Sequence, residues 1–232
     1  MTDVKSSALS KANRAKNTIE TVMNGIFFVC GAASILCVAV IAGYMIVSGL
    51  PAIQEVGLFN FLFGTEWAPT AENPQFGILP MILTTITGTL GAILVGTPLG
   101  LFTAAFICYL APKKLRTVLT AAVELLAGIP SVIYGLVGIT VISPLVANLF
   151  DLPSGATLFT AIVVLSVMIL PTIVSVSVTS LKAVPQEYSD GSLALGATNV
   201  TTIFKMNVPA AKSGIITGIV LGVGRAIGET MA

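Results

Sequence analysis

Histidine is absent from the 232 residues of this chain. That removes the commonest metal ligand and the side chain most used as a general base near neutral pH. Charge is also scarce, with 9% of residues charged, against about a quarter in a soluble domain. The three cysteines, Cys30, Cys37 and Cys108, all fall inside apolar runs, which suits small buried side chains better than metal binding or redox work. No G-x-x-x-x-G-K-[ST] stretch occurs, so the chain has no P-loop for hydrolysing a nucleotide. With no nucleophile–base constellation either, a membrane enzyme is disfavoured. The net charge of +1 gives no reason to expect a nucleic-acid partner.

What is abundant is apolar sequence: 55% of residues are hydrophobic and the mean hydropathy is +1.00. These residues form long blocks, and a hydrocarbon core of about 30 Å needs roughly 20 helical residues to cross it. Blocks of this kind predict helices rather than alternating barrel strands. The expected spans are about 22–49, 76–110, 118–149 and 156–181, with a fifth starting near Ser213. The second contains Pro80 and Pro98 and reads as one long kinked helix or as a span with a re-entrant piece. The third carries Glu124 and Pro130, and the fourth Pro171. The fold class is therefore an all-α, polytopic transmembrane helical bundle in the lipid bilayer. The polar, basic segment 1–21 precedes an apolar run too long for a signal-peptide core, so the first span is expected to be uncleaved.

Orientation follows the basic residues. Lys5, Lys11, Arg14 and Lys16 precede the first span, Lys113, Lys114 and Arg116 join the second and third, and Lys182, Lys205 and Lys212 join the fourth and fifth. The other two connections hold Glu55, Glu66, Glu72 and Asp151 and no basic residue. A five-span alternation with a cytoplasmic N-terminus thus puts every cation but Arg225 on one side. The outer loop 51–76 mixes Trp67 and several phenylalanines with acids and prolines, and reads as a folded or interfacial lid.

Residues 182–212, KAVPQEYSDGSLALGATNVTTIFKMNVPAAK, are too patterned for a tether. Pro185 suits a helix start, Gly196 a left-handed cap, and Thr198 or Asn199 a second N-cap, with Pro209 limiting the second helix. Apolar residues such as Tyr188, Leu195 and Phe204 on such a pair need cover, from the bundle or another protein.

This loop resembles the coupling (EAA) loop of ABC-importer permeases, E-A-A, three residues, Gly, nine residues, I-x-L-P. Asp190, Gly191 and Ser192 occupy the triplet, Gly196 the glycine, and Met206, Val208 and Pro209 the closing motif. The spacing matches throughout, although the triplet departs at all three positions and Met and Val replace Ile and Leu. "VELLAGIPSVIYGLVG" (123–138) and "GRAIGETMA" (224–232) are similar to stretches of the phosphate (PstC-type) branch of that family. The resemblance implies a type I, MetI-like importer permease over 22–232, following a cytoplasmic segment 1–21. Such permeases usually have six spans, so a last helix is expected to be missing here. It also implies partners in the inner (plasma) membrane system: a PstA-like permease subunit, a dimer of PstB-like ATP-binding subunits, and an extracytoplasmic PstS-like phosphate-binding protein. No cofactor is expected in this chain, ATP and Mg being held by the ATPase. The coupling loop 182–212 would seat in a groove of that ATPase.

Arg225 and Glu229 remain to be explained. If the fifth span starts near Ser213, they lie about 18 and 24 Å along it at 1.5 Å per residue. An isolated arginine at mid-bilayer costs about 2.5–3.5 kcal/mol on insertion scales, so it should face protein or water. Gly218, Gly222, Arg225 and Glu229 fall on one helical stripe, extended by Gly214. In one reading the two charges neutralise each other and anchor packing. In the other, Arg225 replaces part of the hydration shell of phosphate in transit, and Glu229 keeps the empty site near neutral so that the anion is released. Thr230, and Ser131 and Tyr134 beyond Pro130, are candidate hydroxyl donors in this pathway. The same charges suit a permease for another oxyanion, sulfate or molybdate. They also suit a secondary anion transporter, which leaves the patterned loop unexplained.

Overall fold

The computed structural model describes residues 2–229, with side chains from Ile19 to Glu229. The chain divides into two compact units, Met1–Leu79 and Pro80–Ala232.

The first unit is dominated by α1 (Thr2–Val56), which extends the expected span in both directions and contains Pro51 near its end. Its stretch 19–56 is long and apolar enough to cross a membrane, and within that stretch the strongest apolar window has no residue buried by protein. Gly57, at φ +83°, turns the chain into α2 (Leu58–Phe63). A two-residue antiparallel ladder follows, β1 (Trp67–Ala68) with β2 (Gln75–Phe76), pairing Trp67 with Phe76. Those two rings meet edge to face at 5.9 Å. The Gly64 and Gly77 backbones touch, leaving no room for a Cβ on either. The connection after α1 is thus a short helix and hairpin stapled at two glycines.

In the second unit, α3 (Leu79–Ala105) runs without interruption into a π-helical turn at Phe106–Leu110, so the second block is one continuous helix with Pro98 inside it. The third block differs from the expected single span. It is divided into α4 (Lys113–Gly128) and α5 (Ser131–Val137), the latter continuing through a π turn at Gly138–Ile142 into α6 (Ser143–Phe150). The cause is Pro130, which has no N–H to donate and pushes Ile129 to an extended backbone, φ −71° and ψ 127°. Asp151, in the left-handed region at φ 53°, ends α6.

The helix α7 (Leu158–Lys182) starts at Thr157, whose side chain accepts from the Thr160 N–H, and forms the centre of the unit. Met168, Ile169, Ile173 and Ser177 are completely buried. Two rows of glycine make this possible. On α3, an added Cβ at Gly91, Gly96 or Gly100 would lie 2.5–3.0 Å from Ile162, Ile169 or Ile173 of α7. On α11 (Lys212–Ile227), Gly214, Gly218 and Gly222 press on Ser180, Val176 and Ile173 in the same way. Ile173 is held from both sides. Lipid is as apolar as these side chains, so close dispersion contact rather than escape from water holds the helices together.

Between α7 and α11 lie α8 (Gln186–Ala194), α9 (Asn199–Thr202), a π turn at Ile203–Asn207, and α10 (Val208–Ala210). Among the described residues, four helices are long and apolar enough to span a membrane, and a fifth span results if 199–210 and 212–227, bent by 72° around Ala211, are taken as one. The helical run 199–210 ends one residue past Pro209, which limits the second loop helix as expected of a residue that cannot donate to a helical bond.

Candidate functional site

The close approach of α11 to α7 decides where Arg225 points. Gly218 and Gly222 are buried, and a Cβ on them would meet Val176 at 3.1 Å and Ile173 at 3.2 Å. Further along the same stripe, the half-buried Arg225 reaches across the seam, and its Nη1 donates to Thr172 Oγ1 at 3.5 Å. Thr172 follows Pro171, the proline inside α7. Arg225 also occupies the last turn of α11, where unpaired carbonyls favour a cation.

Glu229 lies just past the C-cap, Gly228, and is half-buried. It opens onto two cavities. One, of about 350 Å³, is lined by Gly135, Gly138, Ser143, Thr157 and Thr160 among others. The other, of about 420 Å³, is walled by Thr84, Thr85, Gly88 and Thr89 of α3 and by Leu165. Thr84 and Thr85 give their hydroxyls to the Pro80 and Met81 carbonyls at 2.7 and 2.9 Å. The Thr89 hydroxyl is buried without a partner among the described residues.

The other candidates fall elsewhere. The Tyr134 hydroxyl donates to the Leu126 carbonyl at 2.8 Å, bridging the Pro130 break, and its ring lines an apolar recess with Ile129 and Ile133. Ser131 opens α5. Neither lines the cavities at Glu229. Thr230 lies outside the described residues. Sequence reasoning missed Thr172 and Thr89. Thr172 carries a signal in hindsight, a hydroxyl next to a helix-internal proline. Thr89 shows up only once α3, α7 and the end of α11 are brought together. No group of three or more His, Cys, Asp or Glu side chains could hold a metal ion among the described residues.

The loop is organised by two polar ties. Gly196, at φ +87°, caps α8, its N–H bonding the Leu193 carbonyl at 2.9 Å, and the Thr198 hydroxyl caps α9 by accepting from the Thr201 N–H at 3.2 Å. Ser189 Oγ then donates to Asn207 Oδ1 at 3.1 Å, and the Ser192 and Thr202 hydroxyls share a bond of 3.0 Å. Asn207 is buried at 1% exposure, and Phe204 meets Phe102 of α3 edge to face at 5.9 Å. Val208 packs on the apolar cluster built around Ile107, Leu181 and Ile215. The loop is thereby fixed to the bundle, while Asp190 and Gly191 are exposed and Leu195 stands 92% exposed.

A family model described as binding-protein-dependent transport system inner membrane component matches residues 96–232, the part that contains α4 to α11. The chain belongs to this family. This inner membrane component is 38% identical over 225 residues to the probable ABC transporter permease protein YqgH of Bacillus subtilis, covering 96% of this chain and 72% of that one. It is 35% identical over 222 residues to the phosphate transport system permease protein PstC of Mesorhizobium japonicum, covering 87% of this chain and 67% of the relative. PstC 2 of Mycobacterium tuberculosis is 32% identical, covering 87% and 68%. A chain of the inward-facing MetNI methionine ABC transporter superimposes with a TM-score of 0.56 at 23% identity, over 65% of this chain and 73% of that one, which shows the shared fold. The inner membrane component is thus a multi-pass membrane protein of the MetI-like permease fold.

Proposed function

We propose that this chain is the PstC-type permease subunit of an ATP-driven importer of inorganic phosphate. The observation that carries the reading is Arg225, a guanidinium set inside the bundle against Thr172 and one turn from Glu229 and its two cavities. A forked, permanently charged donor matches phosphate oxygens and is more weakly hydrated than an ammonium. The adjacent carboxylate limits how tightly the anion is held, and conduction requires release as much as capture. The relatives named as phosphate permeases support phosphate over other oxyanions.

Energy comes from outside the chain, because it lacks a P-loop. The exposed side of α8, with Tyr188, Leu193 and Leu195, is the surface on which a PstB-like ATPase dimer docks, with ATP and Mg held there. The two polar ties, the Phe204–Phe102 contact and the packing of Val208 on the cluster around Leu181 pass its movement to α3 and α7. A PstA-like subunit completes the pathway, a PstS-like protein delivers phosphate from the far side, and the sorting of basic residues supports a cytoplasmic N-terminus. Co-purification with an ATPase subunit, followed by uptake of labelled phosphate into vesicles with sulfate and molybdate as competitors, tests this. ATP-dependent uptake that excess sulfate or molybdate leaves unchanged is expected. Uptake of those oxyanions in preference to phosphate would reassign the substrate, and uptake without any ATPase would remove the importer.

A further inference from the structure

A cavity of about 610 Å³, separate from those at Glu229, lies between the α3–α4 corner, the end of α7 and the loop. Three charged residues line it: Arg116 from α4, Lys182 from α7 and Asp190 from α8. The cations therefore outnumber the carboxylate. Arg116 Nη2 donates to the Cys108 carbonyl at 2.9 Å, and its Nε is buried without a partner among the described residues. Lys182, in the last turn of α7, lines the same cavity as Arg116. Gln186 and Asn199 add amide groups to the wall, and Leu110, Leu181 and Val184 add apolar surface.

Two cations opening into one partly enclosed volume repel each other, and that repulsion is relieved by an anion between them. An acceptor-only group with several oxygens suits this lining, since arginine, lysine and the amides all donate. We propose that Arg116 and Lys182 bind a phosphate group in this cavity, either inorganic phosphate or the headgroup of an anionic phospholipid, and that its occupancy ties α8 to α4 and α7. Basic pockets between helices at the membrane boundary commonly take such headgroups. The site is distinct from the pathway at Arg225, and its existence does not depend on what the chain transports.

Hydrogen–deuterium exchange over residues 186–207 of the full chain in nanodiscs tests this. Three conditions are compared: phosphatidylcholine alone, phosphatidylcholine with millimolar inorganic phosphate, and phosphatidylcholine mixed with phosphatidylglycerol. Slower exchange with phosphate identifies the free anion, and slower exchange only with phosphatidylglycerol identifies the headgroup. Arg116→Gln with Lys182→Gln should weaken the effective probe by about tenfold or more, as expected from losing a charge-assisted hydrogen bond. Lys182→Gln alone, at an exposed side chain whose loss leaves the fold intact, should weaken it in the same direction. Asp190→Asn should strengthen it severalfold. No protection from either probe, or equal protection in the double variant, overturns the proposal.

Discussion

Glycine means opposite things along α1 and along the two seams of α7. Along α1, Gly25, Gly31, Gly43 and Gly49 have no atom within 4 Å of where a Cβ would stand. Along α3 and α11, Gly91, Gly100, Gly214 and Gly218 are each pressed against a side chain of α7. Both sets lie in apolar helices and look alike as letters. Only the second has a partner helix within the unit, and there the missing side chain is what brings backbones together. A run of small residues becomes informative when something else on the same stripe, here Arg225, requires a protein-facing side.

Substitution should widen that contrast. Gly100→Leu puts a branched side chain where Ile173 already stands, 2.8 Å from the new Cβ. It should cost about 1–3 kcal/mol, as overpacking at a tight seam does, seen as a loss of folded yield and a lower Tm. Gly43→Leu on α1 should leave the same measurements within about 0.5 kcal/mol of the parent. Equal effects at the two sites would mean that α7 is not the centre of packing.

The loop gives the next largest effect. Gly196→Val forces a β-branched residue into a left-handed backbone of φ +87°, costing about 1–2 kcal/mol. In the reconstituted importer, ATP turnover per phosphate moved should rise; an unchanged ratio would detach this loop from energy transfer. Cutting one tie with Ser192→Ala, at about 1 kcal/mol, should shift the ratio less, since the Ser189–Asn207 bond remains.

Thr89 yields a small change in stability and a distinguishing one. A buried hydroxyl without a partner is costly, so the near-isosteric Thr89→Val should raise stability by up to about 1 kcal/mol. If that hydroxyl meets the passing anion, KM for uptake rises severalfold while Tm goes up. A stabilised variant with unaltered uptake would confine Thr89 to packing.

Much of this was legible in advance. Block length and the sorting of Lys and Arg set out the spans, because lipid imposes a minimum helix length and leaves charge few places to go. The caps at Gly196 and Thr198 were legible because a left-handed backbone and an unpaired helix N–H each favour few residue types. The division of the third block was harder to see. Pro130 marks a break, but nothing local separates a kink from two helices, and Tyr134 spends its hydroxyl spanning that break rather than facing Glu229. Thr172 and Thr89 were hidden for a different reason. Each matters through a neighbour far along the chain, at α11 or across a cavity, and no local pattern encodes such a meeting.

The central claim is that Arg225, held at the α7–α11 seam, lends charge to phosphate as it crosses. It is tested most directly by labelled-phosphate uptake in vesicles carrying the assembled complex with Arg225→Ala. Assembly and basal ATP hydrolysis should persist while uptake falls at least about tenfold, the factor for losing a charge-assisted contact. Assembled complexes that import phosphate at the parental rate without this guanidinium would contradict the account.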